Sequence, residues 1–231
     1  MKFRGDDDQI RLFQHLFTRY SQLGLTVPTD KPVAIAGLEQ RLAETMQTPG
    51  RHGVTEKYLH RGLLWQRAGA GRLRRIRYGR GRGVPSWSWM AYDGQIEYMD
   101  IEFGSAEWNR ELWLQDNALK TKVYRFKGGE SGWQNCGIHV AQDTIKDPNI
   151  GWVKYDEEAR TDIRNLRCVI VGREKDQPPS NTSRVGQRYC VLIVISATLL
   201  EGICTFKRVG VGFIPPTCIA FDRVEVSARV G

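Results

Sequence analysis

The apolar residues of this chain change their spacing once, and that change constrains the fold more than any other feature. They recur three and four apart up to about residue 66, and beyond Pro85 they fall into short runs bounded by turn signals. Ile10, Phe13, Leu16, Phe17, Tyr20 and Leu23 line one face of a first helix behind the acidic cluster Asp6, Asp7 and Asp8, and Gly24 is the stop. Thr29 or Asp30 caps a second helix with Pro32 in its first turn and Ile35, Leu38, Leu42 and Met46 along one face, running to about Gln47. A short third helix is predicted over 56–66, weakened by Gly62. Nine strands are then expected, over 96–103, 112–115, 122–126, 137–141, 152–155, 166–172, 189–196, 207–214 and 219–226.

The pattern defines an α+β fold, a helical N-terminal third packed on a β-rich C-terminal region that is antiparallel and sandwich- or barrel-like. Residues 1–84 form the helical segment, with a basic Arg/Gly loop at 66–84, and residues 85–231 the β-rich region, as one compact unit or two. Turn signals stand at Asp93-Gly94, Gly128-Gly129 and Pro178-Pro179, and 174–188 reads as a long polar loop or disordered insert. The 12-residue run Tyr189 to Leu200 is too short for a membrane helix, which needs roughly 20 residues, and its β-branched content marks a buried strand.

Several function classes lose ground on composition. Residues 1–8 are charged and lack the apolar core of a signal peptide, so a cytoplasmic, intracellular protein without membrane contact is expected. The sequon Asn181-Thr182-Ser183 then has no consequence. Cys136, Cys168, Cys190, Cys204 and Cys218 form an odd set with no CxxC pair, which favours reduced, mostly buried thiols over zinc or disulfides. His15, His52, His60 and His139 are scattered, and no HExxH, Gly-x-Ser-x-Gly or Walker-type loop is present. No catalytic, metal-binding or cofactor-binding residue is assigned. Asp6 to Asp8 are explained by the dipole of the helix they begin.

Four blocks resemble the region downstream of the HET domain in fungal heterokaryon-incompatibility proteins. Pro85-Ser86-Trp87-Ser88-Trp89 followed by Asp93-Gly94 looks like that family's PSWSW…DG block, and Arg61-Gly62-Leu63-Leu64-Trp65 is similar to the GLLW segment ahead of it. Leu25-Thr26, Pro28 to Lys31 and Ala34 to Leu38 resemble its LT…SDKL.AI.GL segment, with Pro32 where leucine is usual. Tyr189-Cys190-Val191-Leu192 and Lys207-Arg208-Val209-Gly210-Val211-Gly212 look like its YYVL…RVGVG strands. The HET domain proper has no counterpart in these 231 residues. The resemblance implies a non-catalytic accessory or interaction region in fungal non-self recognition and programmed cell death, with a HET-type effector or regulator as protein partner. Its motif residues here are Trp65, Pro85, Trp87, Trp89, Asp93, Gly94, Arg208, Gly210 and Gly212.

Trp87 and Trp89, two apart on a strand, would bury their indoles on one side, with Ser86 and Ser88 facing the other. The alternative for the pair is an exposed aromatic platform. Two other functions compete with protein contact. One is nucleic-acid binding: the chain carries a formal charge of +8, and 61–82 holds eight arginines and no acid. Arg72, Arg74, Arg75, Arg77, Arg80 and Arg82 are the candidate polyanion contacts. The other is a cryptic effector enzyme acting on a nucleotide, although Gly79 to Gly83 lacks GxGxxG spacing.

Overall fold

The computed structural model describes residues 5–69, 71–79, 83–127, 138–140, 151–157, 165–175, 187–200 and 203–231. Helix α1 (Asp6–Ser21) carries its three aspartates in the first turn, where the helix dipole favours negative charge, and Asp6 pairs with Lys57 at 2.8 Å. It buries Ile10, Phe13 and Phe17. It stops before Leu23, which is exposed instead of joining the apolar face as its spacing predicts. Helix α2 (Lys31–Met46) follows a 3-10 turn, Pro28–Asp30, and Asp30 makes no side-chain cap bond. Its end is marked by left-handed Gln47, and Ile35, Leu42 and Met46 are buried. Helix α3 (Leu59–Leu63) is half the predicted length, because Trp65 and Gln66 leave it to pair as a strand.

Among the described residues three small antiparallel pairs stand apart from the main sheet. β1 (Gly50–Arg51) joins β2 (Val54–Thr55), β3 (Trp65–Arg67) joins β6 (Ile96–Tyr98), and β4 (Arg74–Arg75) joins β5 (Tyr92–Asp93). The remaining strands build one sheet: β7 (Ala106–Trp108), β8 (Trp113–Gln115), β9 (Ala118–Phe126), β10 (Ile138–Val140), β11 (Gly151–Tyr155), β12 (Leu166–Glu174), β13 (Tyr189–Leu200), β14 (Ile203–Ile214) and β15 (Ile219–Val230). β9, β12, β13, β14 and β15 close on one another as a barrel. All its pairings are antiparallel except the seam, where Thr205 and Phe206 of β14 run parallel to Arg229 and Val230 of β15. The far end of β14 keeps its pairing with β13 and takes β11 on its other side. Closure protects edges that would otherwise template aggregation. The turn signals at Gly128 and Pro178, the sequon and Cys136 lie outside the described residues, as does most of the long loop. The ends of that loop are clamped, the Arg188 guanidinium meeting Glu174 at 2.8 and 2.9 Å.

Alternate residues of the barrel strands feed two cores. Cys190, Leu192 and Val194 join one that includes Leu59, Leu63 and Trp87, whereas Val191 and Ile193 join another with Phe126, Cys168 and Ile219. A third core packs α1 and α2 on Trp65, Trp89, Tyr92 and Ile96. The Trp87/Trp89 pair therefore departs from the strand expectation. The segment turns into a 3-10 helix, Trp89–Ala91, so Trp87 enters the barrel-side core and Trp89 the helix-side core. The two indoles rivet the layers together from opposite sides. Ser86 and Ser88 are buried as well, the Ser88 hydroxyl joining the Met90 N–H of the turn to the His52 carbonyl and the Ser86 hydroxyl accepting the Arg208 N–H of β14.

Candidate functional site

The blocks singled out in the sequence converge on Arg208. Its side chain is 0% exposed and its partner Asp156 1%. Nε and Nη2 donate to the two Asp156 oxygens at 3.0 Å each, Nη1 donates to the Leu63 carbonyl at 2.7 Å and Nη2 to the Trp65 carbonyl at 2.5 Å. The guanidinium carbon lies 3.4 Å from the centre of the Trp65 ring. A planar fork that stacks and donates in several directions is what a lysine cannot supply. Burial pushes the Asp156 carboxyl up while Arg208 pulls it down. Removing one partner of such a pair costs about 3–5 kcal/mol, because the other charge is left in an apolar core.

Main-chain bonds extend the node. The Arg208 N–H donates to Ser86 Oγ at 2.8 Å, and Ser86 in turn donates to the Gly231 carbonyl. Trp65 Nε1 donates to the Trp87 carbonyl at 2.8 Å, tying the GLLW-like and PSWSW-like blocks directly. Lys31 adds the α2 block, its Nζ donating to the Tyr92 carbonyl at 2.6 Å and lying 4.8 Å from the Trp89 ring centre. Val191 and Leu192 of the YCVL block pair with Gly212 and Val211. Gly210 and Gly212 admit β11 at close range, for a Cβ at either would stand 2.7 or 2.9 Å from the carbonyl oxygens of Lys154 and Trp152. Gly94 holds φ at +124° in the turn after Asp93, and Pro85 is buried at the start of its block. Asp156, Lys31 and Tyr92 belong to this assembly without having been picked out as site residues. Asp156 follows strand β11 in a plain Tyr-Asp-Glu sequence, and nothing in its spacing distinguishes it from a solvated acid.

The basic tract divides between structure and surface. Arg61 donates to the carbonyls of Ile101 and Glu102, Arg67 to that of Tyr155, and Arg75 to that of Val84 and to the Tyr92 hydroxyl. Leu73 and Ile76 are buried between them, so the expected loop is an ordered ribbon through 71–79. Arg72, Arg74 and Arg77 remain on its outer side, with the Arg74 side chain 86% exposed and 4.0 Å from Asp93. Arg80 and Arg82 lie outside the described residues. The structure thus parts Arg75 from its neighbours on the polyanion roster.

Chemically reactive groups are muted. Burial pushes the Cys168 thiol well up and that of Cys190 to about 12. Burial lowers His52 and His60, the latter 2.7 Å from the Asn109 carbonyl oxygen and stacked on Trp108. Among the described residues no three His, Cys, Asp or Glu side chains gather as metal ligands, and no helix is long and apolar enough to cross a membrane. Large apolar side chains reach solvent at Leu23, Val27 and Val33, around the connection from α1 to α2, at Trp113 on β8, and at Phe221 and Val224 on β15 of the barrel. Comparison with protein-family models, curated proteins and solved structures returns no match.

Proposed function

We propose that this chain acts by binding, as a non-catalytic interaction region of the heterokaryon-incompatibility type that meets a HET-type effector in the cytoplasm during fungal non-self recognition and cell death. The observation that supports this reading is the convergence of the family-like blocks on the Arg208 node. Blocks far apart in sequence that share one buried hydrogen-bond network make sense as the parts of one scaffold, and their side chains are occupied in holding it together. Recognition then falls to the surface. Leu23 at 61%, Val27 at 48% and Val33 at 78% exposure provide apolar contact area beside α2, the helix that carries the DK..AI.GL-like block. The test is light scattering of the purified chain mixed with a purified HET domain. A complex is expected, and Leu23→Asp with Val33→Asp should weaken it at least about tenfold with the far-UV circular dichroism unchanged. No complex, or a variant that binds as well as the parent, overturns the reading.

A second reading has an observation of its own: Arg72, Arg74 and Arg77 project along one exposed ribbon. Neutralising the three to alanine should then flatten the salt dependence of RNA or DNA retention, by up to about 3 in the slope of log K against log salt. Retention that is absent or unaltered removes this alternative.

A further inference from the structure

Helix α2 is covered on one side only. Lys31, Ile35, Leu42 and Met46 point into the molecule, while Val33, Ala34, Gly37, Arg41 and Glu44 are exposed along the opposite side. The half of that side nearest the N-terminus is apolar. Val33 is 78% exposed, and with Leu23 and Val27 just ahead of the helix it accounts for half of the large apolar side chains that reach solvent among the described residues. The space that a side chain at Gly37 would fill is open, so a second helix can approach there without meeting this chain first.

Two charges bracket this apolar stretch. Asp30 stands at the N-cap of α2 and Arg41 eleven residues further on, both exposed. At about 3.6 residues per turn, that spacing returns to within about 20° of the same direction, roughly 16 Å along the axis. Asp30 makes no capping bond, and among the described residues neither side chain has a hydrogen-bond or ion-pair partner within the chain. An acid and a base at the two ends of one apolar face make that face complementary to itself when it is turned end over end. With a twofold axis between residues 35 and 36, Asp30 of each copy meets Arg41 of the other, Ala34 meets Gly37, and Val33 meets the half-buried Leu38. Parallel packing would set Asp30 against Asp30, and a slide of three residues would set it against Glu44, so the charges select both direction and register.

We propose that α2 is a self-association surface, on which a second copy of this chain packs its own α2 antiparallel across a twofold axis, held by reciprocal Asp30–Arg41 pairs around Val33, Ala34 and Gly37. The inference stands without the reading of the chain as an interaction region; because Val33 belongs to both surfaces, a second copy and a HET-type partner exclude each other. A face of this size supports a weak dimer. Sedimentation equilibrium of the full chain, with no HET domain present, should show reversible association from the mass of one chain to that of two, with a dissociation constant on the order of 100 μM. Asp30→Arg and Arg41→Asp each make both contacts of a like pair repulsive, and each should weaken association at least about fivefold with the far-UV circular dichroism unchanged. An equimolar mixture of the two variants should pair as well as the parent, because one copy then carries two bases at the ends of the face and the other two acids. The proposal is overturned if the parent stays monomeric to about 500 μM, which would leave the face to a partner of another kind. It is equally overturned if both variants associate as tightly as the parent, or if mixing them restores nothing.

Discussion

Lys31 places an ammonium group in an apolar core, 2.6 Å from the Tyr92 carbonyl oxygen and beside the Trp89 ring. Burial lowers its pKa from the ordinary 10.5 to about 8, with Asp93 opposing the shift. The folded state therefore releases this proton before the unfolded chain does, so Lys31 lets stability rise as pH climbs from about 8 to about 10.5. The contribution is complete above that window and lost as pH falls through about 8. Cys168 and Cys190 act the other way, because their raised thiols stay protonated in the fold while the unfolded chain loses the proton. The difference between wild type and Lys31→Met isolates the lysine. Denaturant midpoints should show wild type gaining on that variant by up to ~3 kcal/mol across the window. A difference independent of pH would mean that Lys31 is solvated in solution. None of this is legible in the sequence, where Lys31 reads as an ordinary lysine in the first turn of an amphipathic helix.

At the scale of elements, strand β14 carries most of the organisation. It pairs with β13 along its length, closes the barrel on β15 at one end and receives β11 at the other. Gly210 and Gly212 allow the last of these contacts. A methyl group at Gly210 would stand 2.7 Å from the Lys154 carbonyl oxygen, backbone that cannot swing aside. Gly210→Ala should destabilise the protein by about 1–3 kcal/mol. Hydrogen exchange should locate the damage: faster exchange of β11 amides, with the β12–β13 pairing still protected. Uniform loss of protection would show that β11 and the barrel open together. The β-type runs identify every long strand here, since alternation and turn residues are local properties. The two- and three-residue strands β1, β2, β3, β4, β5 and β7 leave no such trace, and Trp65 moved from the expected helix to β3 because its ring is needed under Arg208.

Across the whole molecule the helical and β-rich parts share their polar interior. Arg208 belongs to the barrel, yet two of its four guanidinium bonds end on Leu63 and Trp65. Lys31 is bonded to Tyr92, and Ser21 of α1 accepts the Ile96 N–H at 3.0 Å. Cutting the chain at the sequence boundary after residue 84 would strand these groups without partners in an apolar setting. Residues 85–231 expressed alone should therefore lack the sharp cooperative transition of the full chain in circular dichroism and tryptophan fluorescence. An isolated 85–231 that unfolds cooperatively would show two independent units joined by dispensable contacts.

The sequence by itself determined the class of the fold, the two main helices, the long strands and the turn at Asp93-Gly94, because each follows from periodicity or from a residue's own backbone preference. Tertiary structure alone decided the closure of the barrel, the Arg208–Asp156 pair and the separation of Trp87 from Trp89 into two cores. Those features join residues tens of positions apart, and their energetics come from desolvation at a depth that no local pattern encodes.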